Sequence, residues 1–211
     1  MHIPRIALFK ATGKAGRRLA EEALKRGYYV TVIARTEKEF ELIHINLKVV
    51  AGDVTKKEDI VRHTKGHDIV ICAHEPVIEK PNKHVDITHA LIEGVKESGI
   101  GYLISIGHAF SHPMENTLES YNEWKPIARA QKEALKSFHS NENTNWCYIH
   151  SVEPQAEEET GKFQISNDVV FSNSQGQKRV PIKNYASVLF DEIDRVQYEL
   201  HKYEYAYEMG I

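Results

Sequence analysis

Short, continuous apolar runs alternate with amphipathic helical patterns along the first 150 residues. The apolar runs show little alternation of buried and exposed positions, which is typical of strands in a parallel sheet covered on both faces. They cover residues 5–9, 28–34, 47–53, 68–73, 102–106 and 145–150. The helical patterns between them cover 14–26, 36–43, 56–64, 81–98 and about 126–140. Five βα repeats followed by a sixth strand predict an α/β fold with a doubly wound, Rossmann-type parallel sheet in the order 3-2-1-4-5-6.

The pattern changes after His150. An acidic loop is followed by short strand-like pieces, a last helix over 183–194 and a terminal strand near the C-terminus. We expect residues 151–211 to contribute a small lobe over the carboxyl edge of the sheet, where open α/β sheets bind ligands. The whole chain, residues 1–211, then forms a single domain with a substrate-side lobe.

Composition narrows the class of protein. A net charge of −3 and a pI near 6.5 do not indicate binding to nucleic acid or to an anionic membrane. No apolar run approaches the length of a membrane span. Cys72 and Cys147 sit in buried strand patterns with one strand between them, too far apart for a disulfide. We therefore expect a cytoplasmic monomer or homodimer whose partner is a small-molecule substrate or nucleotide.

The turn after the first strand reads Lys10-Ala-Thr-Gly13-Lys-Ala-Gly16, a glycine-rich phosphate loop whose first glycine is replaced by lysine. Gly13 would let the backbone approach a pyrophosphate, and Gly16 would let the helix pack on the strand. The N-terminus of the following helix can hold an anion. Lys10 is unfavourable only if its backbone needs a positive φ, and its side chain could either reach the phosphates or block them.

Charged residues follow the second and third strands. Arg35 follows the second strand, at the position that contacts the adenosine ribose in dinucleotide-binding folds. An acidic residue there suits the ribose hydroxyls of NAD, whereas an arginine suits the 2′-phosphate of NADP. This favours NADP(H) as the cofactor, with NAD(H) as the alternative. Asp53 could accept a hydrogen bond from an adenine amino group or cap the next helix.

The segments "IALFKATGKAGRRLAEEALKRGYYVTVIAR", "LKVVAGDVT", "GHDIVICA" and "WKPIARAQKEAL" resemble the atypical short-chain dehydrogenase/reductases. Within that group they are most similar to the NmrA-like and flavin/biliverdin-reductase-like NAD(P)H-binding proteins, from Ile3 to about Tyr207. The resemblance implies that the loop holds the pyrophosphate through Thr12, Gly13, Lys14, Ala15 and Gly16, with Lys10 at its head.

The same resemblance implies three further contacts along the cofactor. Arg35 would bind the 2′-phosphate, Asp53 and Val54 would touch adenine, and Ala73 and His74 would line the ribose. The sequence departs from the family at Lys10, at His74, where a small residue is usual, and at His108 after the fifth strand. All three departures add bulk along the cofactor groove.

A Tyr-x-x-x-Lys pair, Tyr121 and Lys125, follows the fifth strand, with Ser105 or Ser111 as a third member. In reductases of this superfamily the tyrosine donates a proton and the lysine lowers its pKa. Pro126 makes a catalytic role for this pair less favourable. Proline belongs in the first turn of a helix, so the helix begins near Pro126 and Tyr121 lies in the preceding loop.

Histidines give no metal-ligand pattern, so no metal is expected. Three of them fall at the predicted cleft, where one could donate a proton to a substrate: His74, His108 and His112.

Two functions fit these observations. The first is an NADPH-dependent reductase that passes hydride to a small carbonyl, quinone or flavin-type acceptor, with the protein mainly positioning the cofactor. The second is a non-catalytic sensor or regulatory protein, NmrA-like, in which the cofactor groove is altered or lost.

Overall fold

A computed structural model describes residues 2–74, 80–108, 125–141, 144–151 and short pieces of the C-terminal part. Those pieces are 153–155, 164–166, 179–181, 186–187, 189–191, 193–194 and 203–208.

The main sheet has eight strands, and the first six follow the predicted Rossmann order. In chain order the six are β1 (Arg5–Phe9), β2 (Tyr29–Ala34), β3 (Leu47–Ala51), β4 (Ile69–Cys72), β5 (Tyr102–His108) and β6 (Asn145–Ser151). Two short strands, β7 (Glu153–Gln155) and β9 (Arg179–Pro181), form a separate sheet, while β8 (Gln164–Ser166) and β10 (Tyr203–Glu208) join the main one. The full order is β3-β2-β1-β4-β5-β6-β10-β8, parallel except for the last pair. The predicted doubly wound fold is confirmed.

Four long helices connect the strands: α1 (Lys14–Lys25), α2 (Lys57–Thr64), α3 (Lys83–Ser98) and α4 (Lys125–His139). In the part of the chain that the structure describes, no helix is long and apolar enough to cross a membrane.

The helix predicted over 36–43 is wrong except for one 3-10 turn, Glu37–Glu39. Phe40 leaves helical geometry with φ −132° and ψ 93°, and its ring is buried in the core. Tertiary packing of this one aromatic ring therefore outweighs the local helical pattern.

Alternate residues of each strand pack into two separate hydrophobic cores, one on each face of the sheet. One contains Leu8 of β1 and packs against α1 and the helical pieces within 186–194, while the other contains Phe9 and packs against α2, α3 and α4. Cys147 belongs to the first core and Cys72 to the second. The two thiols thus lie on opposite faces of the sheet, and no disulfide can join them.

The described pieces of 151–211 extend the sheet, since β10 lies parallel to β6 and β8 pairs with β10. The strand expected at 168–171 lies outside the described residues. The expectation that the C-terminal part covers the cleft stays a prediction.

Arg26 ties α1 to the C-terminal helical pieces. Its guanidinium donates to Glu22 at 2.7 Å, Asp191 at 2.7 Å and Asp194 at 2.9 Å, and also to the backbone oxygen of Ser187 at 3.0 Å. This side chain is only 21% exposed, so the three carboxylates meet it in a partly desolvated place. One arginine therefore holds together elements about 165 residues apart in sequence.

We expect Arg26→Ala to lower the free energy of unfolding by about 1.5–3 kcal/mol, the usual cost of losing hydrogen bonds to charged groups. Arg18→Ala is the matched control, because Arg18 pairs with Glu21 on the surface of its own helix. That control should cost about 1 kcal/mol or less. Urea unfolding of both variants measures the difference, and equal losses would contradict a special role for Arg26.

Candidate functional site

The loop between β1 and α1 is packed directly against the start of the helix. A Cβ added at Gly16 would lie 2.4 Å from the Lys10 carbonyl oxygen and 2.7 Å from the Ala11 Cα. Both are backbone atoms, which cannot move aside cheaply. Gly16 therefore has the predicted role of the third loop glycine, the close approach of helix and loop.

The N-terminus of α1 faces this loop without an acidic neighbour in its first turn. Gly13 is the N-cap in extended geometry, with φ −75° and ψ 166°. The first backbone N–H groups of a helix have no intrahelical partner, and the helix dipole adds positive potential there. Gly13, Lys14 and Ala15 therefore form the end of a helix suited to bind an anion.

Lys10 adopts the glycine-like conformation that the sequence left open. Its φ is +62°, and no other non-glycine residue in the described ranges has a positive φ. Such a backbone costs an L-residue about 1 kcal/mol relative to glycine. The loop keeps the geometry of a glycine-rich turn although a lysine occupies its first position.

A cavity of about 140 Å³ opens beside the loop, at the carboxyl ends of β1, β2 and β3. Five of the predicted cofactor residues line it: Lys10, Thr12, Arg35, Asp53 and Val54. Among the lining residues that the sequence analysis missed are two charged ones, Glu39 and Lys83. Lys83 is the first residue of α3. Its helical position gives no functional signal, and it reaches the cavity because β4, which precedes α3, lies next to β1.

Asp53 is not a helix cap, because the N-cap of α2 is Lys56. Its Oδ1 accepts from the backbone N–H of Thr55 at 2.9 Å and from the Thr55 hydroxyl at 2.8 Å. The Thr55 N–H holds the pKa of Asp53 below its usual range. The side chain is thus a fixed, ionised hydrogen-bond acceptor on the cavity wall.

Arg35 extends from the end of β2, with its side chain 80% exposed. Its Nε lies 3.5 Å from Oε1 of Glu39, a long and exposed ion pair that contributes little. The guanidinium is therefore available to a phosphate.

His74 follows β4 and is only 4% exposed. Its ring stacks on that of His84 in α3, with centroids 5.2 Å apart and an interplanar angle of 19°. His84 Nε2 lies 3.0 Å from the Tyr148 hydroxyl. Two buried ring nitrogens, His74 Nε2 and His84 Nδ1, have no hydrogen-bond partner among the described residues.

Both imidazoles are neutral at ordinary pH. Burial, then the charges of His84, Lys10 and Lys83, lower the pKa of His74 to about 3. Burial lowers the pKa of His84 to about 4. His74 can therefore exchange hydrogen bonds at the cleft, but it is not a charged proton donor there.

The predicted catalytic residues are not assembled within the described part of the chain. Ser105 is 2% exposed and lies in register between Cys72 of β4 and Tyr148 of β6, on the face covered by α3 and α4. Lys125 is exposed at the start of α4, with Pro126 in the first turn as expected. The tyrosine of the pair, Tyr121, lies outside the described residues, as do Ser111 and His112.

Over the described residues, no group of three or more His, Cys, Asp or Glu side chains is arranged to hold a metal ion.

A model of the NAD(P)H-binding family matches residues 11–195. The chain belongs to this family. The match spans Ala11 to Gly16 of the phosphate loop, Arg35, Asp53 and β4, so it includes every residue named above as lining the cavity except Lys10. The predicted family resemblance is confirmed at this level.

Three known proteins illustrate the relationship. YwnB of Bacillus subtilis (strain 168), an uncharacterized protein, is 26% identical, covering 94% of this chain and 96% of its own. A Streptococcus pneumoniae structure, of a protein proposed to be an NADH-flavin reductase, is 23% identical, with TM-score 0.76 and coverage of 98% and 100%. A short-chain dehydrogenase/reductase of Veillonella parvula, in complex with NADP, is 12% identical, with TM-score 0.79 and coverage of 98% and 94%. At these identities the two structures establish a shared fold.

We expect Gly16→Ala to lower the free energy of unfolding by about 1–3 kcal/mol, because the added methyl meets two backbone atoms of the loop. Gly101→Ala is the control, since its Cβ would meet only the Asp68 backbone oxygen, at an ordinary contact distance of 3.8 Å. Urea unfolding should separate the two variants. Equal stabilities would show that the loop can move away from the helix at little cost.

The buried imidazoles make stability depend on pH. Their pKa values lie below the unfolded value of about 6.5, so the unfolded chain binds more protons between that pH and about 3 to 4. The stabilisation is complete above pH about 6.5 and is lost as the pH falls, at about 1.4 kcal/mol per pH unit for each imidazole. Burial lowers the pKa of His63 and His67 too, which adds to the slope.

Urea unfolding at several pH values tests this dependence. His84→Gln should reduce the slope by about one proton, whereas Tyr148→Phe keeps both imidazoles and should keep the slope. An unchanged slope in the His84 variant would contradict the assignment.

Proposed function

We propose that the protein is an NADP(H)-dependent reductase that passes hydride from the nicotinamide to a small carbonyl, quinone or flavin-type acceptor. The observation that carries this proposal is the cation-lined cavity between the phosphate loop and Arg35, inside a fold that belongs to the NAD(P)H-binding family. The Veillonella parvula neighbour in complex with NADP supports this cofactor. The Streptococcus pneumoniae neighbour, proposed to be an NADH-flavin reductase, supports a flavin-type acceptor but names NADH as its cofactor.

The residues fit a dinucleotide in several places. The open N-terminus of α1 suits the pyrophosphate, and the fixed carboxylate of Asp53 suits the adenine amino group. Arg35 suits the 2′-phosphate through its planar fork of donors. The unpartnered Nε2 of His74 suits a ribose hydroxyl at the end of β4.

When bound, the dinucleotide supplies the hydride, and the chain's own residues position it and exclude water. Neutral His74 exchanges a hydrogen bond without bringing a charge to the ribose. Tyr121 and Lys125 stay our prediction for the proton donor and its partner. Ser105 is the weakest member of that set, because its hydroxyl lies in the core rather than at the cleft.

A second function has its own supporting observation. The large side chain of Lys10 lines the groove where a glycine is usual. This favours a regulatory protein that binds the dinucleotide without turnover or has lost the cofactor groove. Binding and turnover measurements separate the two functions.

The test compares NADPH and NADH binding by calorimetry, in the wild type and in Arg35→Gln. We expect wild type to bind NADPH more tightly, and the variant to lose about 10-fold or more in NADPH affinity with little change for NADH. Lys38→Gln is the control, because Lys38 is exposed on the same turn but does not line the cavity. Quinone, flavin and aldehyde acceptors are then screened by NADPH oxidation.

Binding without turnover on any acceptor would favour the regulatory function. If neither nucleotide binds, the reductase proposal is wrong, and the regulatory protein whose cofactor groove is lost is favoured instead.

A further inference from the structure

We infer that Lys83 and Lys10 form, together with Arg35, a three-cation site that selects the 2′-phosphate of NADP(H). This inference rests on the proposed function and deepens it, since it names two lysines as specificity-determining residues. The sequence pattern assigns no such role to Lys83.

Three cations reach one small cavity from three different elements. Lys10 comes from the loop after β1, Arg35 from the end of β2 and Lys83 from the start of α3. Two carboxylates share the wall, but Glu39 pairs with Arg35, and Asp53 is held by Thr55. Among the described residues, no carboxylate lies within ion-pair distance of the Lys10 or Lys83 ammonium group.

In the part of the chain that the structure describes, the two lysines therefore have no ion-pair partner, and the charge of Asp53 offsets only part of the positive charge around Lys10. Lys10 is half-buried, and its pKa is lowered first by that burial and then by the charge of Lys83. Like charges brought together in a partly dehydrated cavity repel one another. A bound dianion would remove this repulsion and gain charge-assisted hydrogen bonds.

The backbone of Lys10 adds an independent argument. With φ +62°, this position would be more stable as glycine. Strained backbone that the rest of the fold enforces is found preferentially at ligand sites. A lysine that costs stability here is explained if its ammonium group contributes to binding.

The position of the cavity indicates which phosphate it takes. The pyrophosphate of a dinucleotide binds at the N-terminus of the first helix. The cavity instead extends to Arg35 and Asp53, on the adenosine side. The phosphate on the adenosine ribose is the one that belongs there.

Two nucleotide fragments separate these phosphates: adenosine 2′,5′-bisphosphate carries the 2′-phosphate, and ADP carries the pyrophosphate alone. We expect Lys83→Gln and Lys10→Gly each to weaken binding of the bisphosphate by about 10-fold or more, while ADP affinity changes by less than about 2-fold. Lys80→Gln is the control, because Lys80 is an exposed lysine just before α3 that does not line the cavity, and it should change neither affinity.

A second readout needs no ligand. Lys10→Gly should raise the urea concentration at the midpoint of unfolding, because glycine accepts the positive φ. The variant thus gains stability while it loses bisphosphate affinity, which no general damage to the fold would produce.

Each other outcome has a distinct meaning. Equal weakening of both fragments, or no weakening of either, overturns the assignment of the lysines to the 2′-phosphate. Suppose that wild type binds both NADPH and NADH, and that the lysine variants have the same ratio of NADPH affinity to NADH affinity as wild type. This inference is then wrong, while the proposed function stands. If wild type binds none of these nucleotides, the proposed function fails with it.

Discussion

The contact between Gly16 and the backbone of the preceding loop is the constraint on which the candidate site depends. Because the helix lies against the Lys10 carbonyl and the Ala11 Cα, the loop has no room to relax outward. That packing fixes the turn, and the turn fixes Lys10 at φ +62° whatever its side chain. The same contact sets both the N-terminus of α1 and Lys10 beside the cavity.

A second constraint comes from the sheet. Alternate residues of each strand supply two cores, and the face beneath α3 and α4 contains polar side chains as well as apolar ones. The rings of His74 and His84 stack there, and Tyr148 meets His84 edge-on. Burying two neutral imidazoles costs stability unless their nitrogens have hydrogen-bond partners, and among the described residues one nitrogen of each has none.

Much of this architecture could be predicted from the sequence, for identifiable reasons. The six strands are continuous apolar runs, and parallel strands buried on both faces leave that signal whatever surrounds them. The 36–43 segment was mispredicted because the burial of Phe40, a tertiary effect, interrupts the helical pattern. The hydrogen bonds of Asp53 to Thr55 could not be predicted, because an acceptor and a helix cap look identical in sequence. Lys83 gave no signal, because only the crossover from β4 to α3 brings it to the cavity.

The substitution at the first loop position then becomes a question of free energies rather than of motif matching. A glycine there would be more stable by up to about 1 kcal/mol, whereas one charge-assisted hydrogen bond to a phosphate contributes about 1.5–3 kcal/mol to binding. The strain is present in both the free and the bound protein, so it lowers stability without lowering affinity. The phosphate contact exists only when ligand is bound, so its whole contribution appears as affinity. A lysine at this position therefore lowers the stability of the protein slightly and raises its affinity for the phosphate by more. The glycine motif is altered at the residue where a side chain can reach the adenosine side of the groove, and it is retained at Gly16, where any side chain would collide with the backbone.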